Sequence, residues 1–176
     1  MSILLIDNQP TLTLGDAALI LGISSSLLVS GIHFSASLLT VPLLYRLPAD
    51  TSTRIFSQFY RCSVKAAAPL TAFATTMFGL SAYLFTGRGQ GLNIALGHAA
   101  GLAFATFFWT RLVMMRTTRA LLENSNGVKL TDGLDQDEVE RLFRRYKWMN
   151  IFRGCFLFGG GLIGLVVLST RAAVRA

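Results

Sequence analysis

The chain has 176 residues, of which 52% are hydrophobic and only 14% charged, with a net charge of +7 and a mean hydropathy of +0.53. An ordinary soluble domain carries roughly 25% charged residues, so these numbers exclude intrinsic disorder and argue against a water-soluble globule. Two cysteines make no disulfide framework, and the Cys and His residues have no structural-zinc spacing. The basic balance suggests nucleic acid at first, but the Lys and Arg residues sit between long apolar blocks, as in membrane proteins. No nucleic-acid partner is therefore expected.

A membrane span needs about 20 mostly apolar residues to cross roughly 30 Å of hydrocarbon. Four stretches meet this, at residues 17–44, 66–85, 92–115 and 149–170, and none contains an acidic residue. The first is preceded by a leader with no Lys or Arg and with Asp7 and Asp16, so it reads as a retained span rather than a cleavable signal. The runs are too long and continuous for barrel strands, and backbone groups in lipid must be satisfied internally, so they are expected to be helices. Small residues such as Gly22, Ser26, Gly79, Gly101 and the run Gly159-Gly160-Gly161 allow close helix approach. The predicted fold is all-α: one integral membrane domain over residues 1–176, a four-helix bundle.

Between the first two spans, Ile55, Phe56, Phe59 and Tyr60 alternate with Arg54, Arg61 and Lys65, which predicts a short interfacial helix. The second and third spans are joined by a short turn around Gly87-Arg88-Gly89. The connection at residues 116–148 contains a turn signal at Asn124-Ser125-Asn126-Gly127. It then predicts an amphipathic helix with Val139, Leu142, Phe143 and Tyr146 at helical spacing. The two long connections, with Arg111 at the boundary, hold twelve basic residues, against three on the terminal side. The positive-inside rule then puts both connections in the cytoplasm and both termini in the lumen, with the endoplasmic reticulum or a related endomembrane as the location.

Polar residues inside spans are functional candidates. His33 lies toward the cytoplasmic end of the first span, Thr110 and Arg111 at that end of the third, and Asn150 and Arg153 at the same end of the fourth. One pocket can hold them all. His98 enters the third span from the other side and should not meet His33. No interior acid serves a proton-coupled transporter, and no haem, di-iron or dinucleotide signature is present.

Several segments resemble the fungal anthrone oxygenases, small four-span membrane proteins of polyketide pathways. Ala67-Ala68-Pro69-Leu70-Thr71-Ala72 followed by Phe78-Gly79 is similar to their second span. Thr110-Arg111-Leu112-Val113-Met114, with Thr117-Thr118-Arg119-Ala120-Leu121-Leu122 after it, is similar to the end of their third. Tyr146-Lys147-Trp148-Met149-Asn150-Ile151-Phe152-Arg153-Gly154 resembles their Trp-x-x-x-Asn-x-x-Arg-Gly entry to the last span. The resemblance runs from about Gly15 to Leu168. Three positions depart from it: Phe108-Trp109 stands where Pro-Tyr is usual, Thr118 where Asn is usual, and Tyr146 at the Trp position.

The resemblance implies a monooxygenase of secondary-metabolite biosynthesis. It would oxidise an anthrone to an anthraquinone with molecular oxygen, without metal, flavin or haem. An anthrone enolises to an electron-rich anion that itself reduces oxygen. The expected roles follow. Neutral His33 is the base, and Arg153 and Asn150 hold the oxyanion. Thr110, Trp109, Phe108 and Tyr146 contact an apolar aromatic polyketide, with further walls from Phe34, Phe104, Phe107 and Phe152. The bilayer is the route of entry, and a homo-oligomer is left open. The competing class is a non-catalytic membrane scaffold that recruits biosynthetic enzymes through the helix at residues 139–148.

Overall fold

The computed structural model describes residues 12–86, 91–125 and 135–175. Those residues contain no strand, and four helices among them are long and apolar enough to cross a membrane. They are α1 (Leu14–Leu44), α2 (Ala49–Leu84), α3 (Leu92–Ser125) and α4 (Gln136–Arg175). The four are compatible with a multi-pass membrane protein. In the bundle α1 packs against α2 and α4, and α3 packs against the same two from the opposite side.

The helices outrun the apolar blocks that predicted them. At 1.5 Å per residue, the 40 residues of α4 extend about 60 Å, roughly twice a hydrocarbon core. The expected interfacial helix is not a separate element. It is the first half of α2, because no breaker stands between Arg61 and Ala66, and Pro69 is accommodated inside the helix. The helix expected near residues 135–148 is likewise continuous with the fourth span. The predicted turn at Gly87-Arg88-Gly89 lies outside the described residues. So do Asn126 and Gly127, and α3 remains helical to Ser125.

These extensions have their own apolar core. Phe56 of α2 is fully buried and meets Phe143 and Tyr146 of α4 edge-on, with ring centroids 5.4 and 4.8 Å apart. Leu121, Met114, Val139 and Leu44 complete it. A second core, around Leu19, Ile23, Phe78, Phe85 and Leu96, fills the far end of the bundle. Close approach there depends on glycine. A Cβ on Gly164 of α4 would stand 2.6 Å from Ile23 Cγ1 and 2.9 Å from the Phe78 ring. Two wider π-helical turns interrupt the helices, Ala36–Thr40 in α1 and Thr110–Met114 in α3. The first precedes Pro42, which has no N–H and whose ring crowds the carbonyl one turn back. Such turns cluster at functional sites.

Candidate functional site

A seam of small polar side chains joins α1 to α4. Ser26 Oγ donates to the Leu157 carbonyl at 2.6 Å, and Ser30 Oγ donates to the Gly154 carbonyl at 3.0 Å. Both helices repeat every three or four residues along one face, so the seam continues toward the π-helical turn. There Asn150 Nδ2 donates to the His33 carbonyl at 2.9 Å and to Ser37 Oγ at 2.8 Å. A carbonyl only accepts, so this contact fixes which way the Asn150 amide faces. Gly154 lets the helices close here, since a Cβ on it would stand 3.1 Å from the Phe34 ring and 3.4 Å from His33 Cβ.

Arg153 reaches across this seam. Its Nη2 stands 2.9 Å from His33 Nδ1, and its Nη1 donates to Thr110 Oγ1 at 3.2 Å. Thr110 in turn donates to the Thr106 carbonyl at 2.7 Å. His33, Asn150 and Arg153 are all buried. Asn150 Oδ1 and Arg153 Nε are buried with no hydrogen-bond partner among the described residues. Cores seldom tolerate such atoms, and each one calls for an explanation.

Beside this group lies a cavity of 370 Å³. His33, Thr106, Thr110 and Arg153 form its polar wall. Its apolar wall comes largely from α2, through Val64, Ala67 and Ala68, and from Phe107 and Met115 of α3. Tyr60, Thr71 and Arg111 complete the lining. Val64 and Phe107 are partly exposed on the outer surface, so the mouth opens sideways between α2 and α3.

The structure brings together His33, Thr110, Asn150 and Arg153, and Arg111, expected in the same pocket, lines the cavity as well. Asn150 does not line it, because both its amide hydrogen bonds go to α1, so the oxyanion contact expected of it is not available. Phe108, Trp109 and Tyr146 do not line it either. Phe108 is 55% exposed and packs edge-on against Phe104 on the outer face. Neighbouring residues on a helix point about 100° apart, which turns Phe107 inward and Phe108 out. Trp109 donates its indole N–H to the Met149 carbonyl at 3.0 Å and packs on Phe152 and Phe156. Tyr146 is buried against Phe56 in the neighbouring core. Of the aromatic walls expected, only Phe107 is in place. The contribution of α2 and the role of Ser37 were missed. Small residues near Pro69 carried no chemical signal, though Tyr60 one turn before Val64 was a usable one.

The base role expected of His33 does not fit this geometry. A guanidinium has donors only, so Nδ1 must accept from Arg153 and the ring proton sits on Nε2. Neither ring nitrogen then offers a free lone pair. His98 is remote from the group, exposed, and bonded through Nδ1 to the Ile94 carbonyl at 2.8 Å. Among the described residues no cluster of three or more His, Cys, Asp or Glu side chains could hold a metal ion.

No curated protein and no solved structure matches the chain significantly. One family model does match, that of anthrone oxygenase, over residues 56–163. The match takes in Thr110, Asn150, Arg153 and all of the α2 and α3 cavity lining, while His33 precedes it. On that match, which spans more than half its length, the chain belongs to the anthrone oxygenase family.

Proposed function

We propose that the chain is an oxygenase that converts an anthrone-type polyketide to the anthraquinone with molecular oxygen. The observation that carries this reading is a cavity of 370 Å³, mostly apolar, with the guanidinium of Arg153 in its wall, in a chain of this family. Ligand pockets have this character, with volumes of roughly 300–1,000 Å³ and a few placed polar groups.

The chemistry balances without a further reductant. The anthrone loses a methylene proton to water and becomes an enolate. The enolate passes one electron to oxygen, and the resulting radical pair joins at the methylene carbon as a peroxide anion, which takes a proton back from water to become the hydroperoxide. Loss of water from that carbon leaves the second carbonyl. One oxygen atom ends in the quinone and the other in water. The protein's part is to bind the polycycle, hold the enolate oxygen and exclude bulk water. In this reading the second task falls to Arg153, which donates to Thr110 and lines the cavity. The sideways mouth, with Arg111 of the membrane boundary in its lining, suits a substrate held at the membrane interface.

The scaffold alternative is weakened, because only Trp148 of the helix at residues 139–148 keeps a largely exposed apolar side chain. Val139, Phe143 and Tyr146, the apolar stripe it relied on, are buried in the bundle's own core. We propose further, from the distribution of basic residues, that both long connections face the cytoplasm and the termini the lumen of an endomembrane such as the endoplasmic reticulum. A glycosylation acceptor engineered near Asn126 should then stay unmodified while one on an extended C-terminus is modified.

Oxygen uptake by membranes containing the chain, supplied with an anthrone, tests the reaction. One oxygen should be consumed per quinone formed, and chelator treatment should leave the rate unchanged. Uptake no faster than in membranes without the chain, at verified abundance, sinks the proposal.

A further inference from the structure

The cavity holds a cation with no anion of its own. Among the described residues the ion pairs are Arg144–Glu140 and Arg171–Asp16, and neither involves Arg153. No acidic residue lines the cavity. The titratable and charged groups that face it are His33 from α1, Tyr60 from α2, Arg111 from α3 and Arg153 from α4. A buried charge is costly unless something compensates it. Here the nearest side-chain partners of Arg153 are a neutral hydroxyl and an imidazole nitrogen.

The imidazole points to the same conclusion. With Nδ1 accepting from Arg153, the ring carries its proton on Nε2, and Nε2 makes no hydrogen bond among the described residues. The ring itself lines the cavity. A neutral imidazole that donates to an enolising oxygen is an established catalytic device. Asn150 holds the backbone under this ring through the His33 carbonyl, so the orientation of the donor is built in.

We propose that the cavity is an oxyanion site that takes its substrate already ionised, as the enolate of a polycyclic aryl ketone. His33 Nε2–H and the Arg153 guanidinium hold the enolate oxygen. No side chain of the site is the base: the methylene proton goes to water or hydroxide in the keto–enol equilibrium outside, and the enolate is the species that enters. The electron then passes from bound enolate to oxygen as in the reaction above. This deepens the oxygenase reading and rests on it for the identity of the ketone, but not for the class of ligand.

The test has a binding arm and a turnover arm. The binding probe is 2-naphthol, an aryl oxyanion precursor with no methylene to oxidise, titrated by absorbance in lipid nanodiscs with and without the chain. Bound naphthol should ionise at least about one pH unit below its value in empty nanodiscs, and Arg153→Met should abolish that shift. Ionisation at or above the empty-nanodisc value overturns the proposal.

In the turnover arm, His33→Gln keeps an N–H near the Nε2 position but has no basic nitrogen. It should retain at least about a third of wild-type turnover, whereas His33→Ala should lose about tenfold or more. A Gln variant as inactive as the Ala variant at normal abundance overturns the donor role. Should His33→Gln fail to accumulate, the naphthol shift of the wild-type chain decides alone. Across anthrones of graded acidity, the midpoint of the kcat/KM profile should follow the substrate. A midpoint fixed for all substrates, or one that moves with Tyr60→Phe, assigns the proton to a protein group and overturns the proposal. Naphthol binding without anthrone-dependent oxygen uptake would remove the oxygenase reading alone, and uptake without the naphthol shift would remove the oxyanion site alone.

Discussion

Two arginines of α4, Arg153 and Arg171, both reach back to α1, about 27 Å apart by helical rise. Arg171 Nε donates to Asp16 Oδ1 at 2.9 Å, and its guanidinium lies 3.7 Å from the centroid of the Phe85 ring. Asp16 also accepts from the Thr13 backbone N–H and caps the start of α1. Charge meets charge, both side chains are largely buried, and the contact is closed. Arg153 instead meets a neutral imidazole and a hydroxyl, keeps its Nε without a partner among the described residues, and borders a cavity. The same residue type on the same helix is ion-paired at one end and borders a cavity without a carboxylate at the other. What separates them is whether the opposing helix supplies a carboxylate.

The comparison is broken most severely at the closed end. Removing one partner of a buried ion pair costs about 3–5 kcal/mol where the other charge is left bare, and the contacts that Asp16 keeps with Thr13 make that an upper bound here. Arg171→Met should therefore lower stability by up to about that amount, read as the unfolding midpoint in detergent. Turnover per folded molecule should be unchanged. A variant as stable as wild type would show that the ion pair contributes nothing.

At the open end the expected loss moves from stability to rate. Removing an oxyanion donor costs roughly 10²–10³ in turnover. Arg153→Met should lose activity on that scale while its stability holds or rises, because an uncompensated buried cation is replaced by an apolar chain. Arg153→Lys keeps the charge but loses the planar fork that spans His33 and Thr110, and should fall about tenfold or more. A strongly destabilised Arg153→Met would make the two arginines alike and remove the contrast.

Asn150 ranks next. It touches the His33 carbonyl and Ser37, not the cavity, so it acts through the orientation of His33. Asn150→Ala should cut kcat about tenfold with KM changed little, since misplacing a donor weakens the transition state more than apolar binding. An equal rise in KM with kcat intact would instead make Asn150 part of the binding surface.

Much of this contrast was legible in the sequence. Unbroken apolar runs gave the four helices. Counting residues from the span ends placed His33, Thr110, Asn150 and Arg153 at one depth, and the spacing of Asn150 and Arg153 put them on one face. Helix rotation was not legible, because residues 66–84 of α2 and 92–109 of α3 hold no charged side chain and hydropathy there selects no inward face. That is why Phe108 was named and the α2 wall of Val64, Ala67 and Ala68 was not. Ser26 was read as a packing residue, and Ser30 and Ser37 were not singled out, because serine serves both purposes in a span. The proton position on His33 depended on the partner of Nδ1, which only coordinates supply.

His98 sharpens the comparison with the smallest effect. It is the second histidine of the chain and also lies within an apolar span, so residue type and burial by sequence do not separate it from His33. The structure does. Its ring is exposed on α3, and its Nδ1 is bonded at 2.8 Å to the Ile94 carbonyl of its own helix, so it bridges no two helices. A carbonyl only accepts, so Nδ1 carries the proton, the opposite tautomer to the one Arg153 imposes on His33. Substitutions at such surface positions usually change stability by less than about 0.5 kcal/mol. His98→Ala should therefore leave both turnover and the unfolding midpoint close to wild type, within about twofold in rate. A loss comparable to that of His33→Ala would mean that exposed histidines matter here as much as the buried one, and the assignment of function to the cavity would have to move to the outer face of α3.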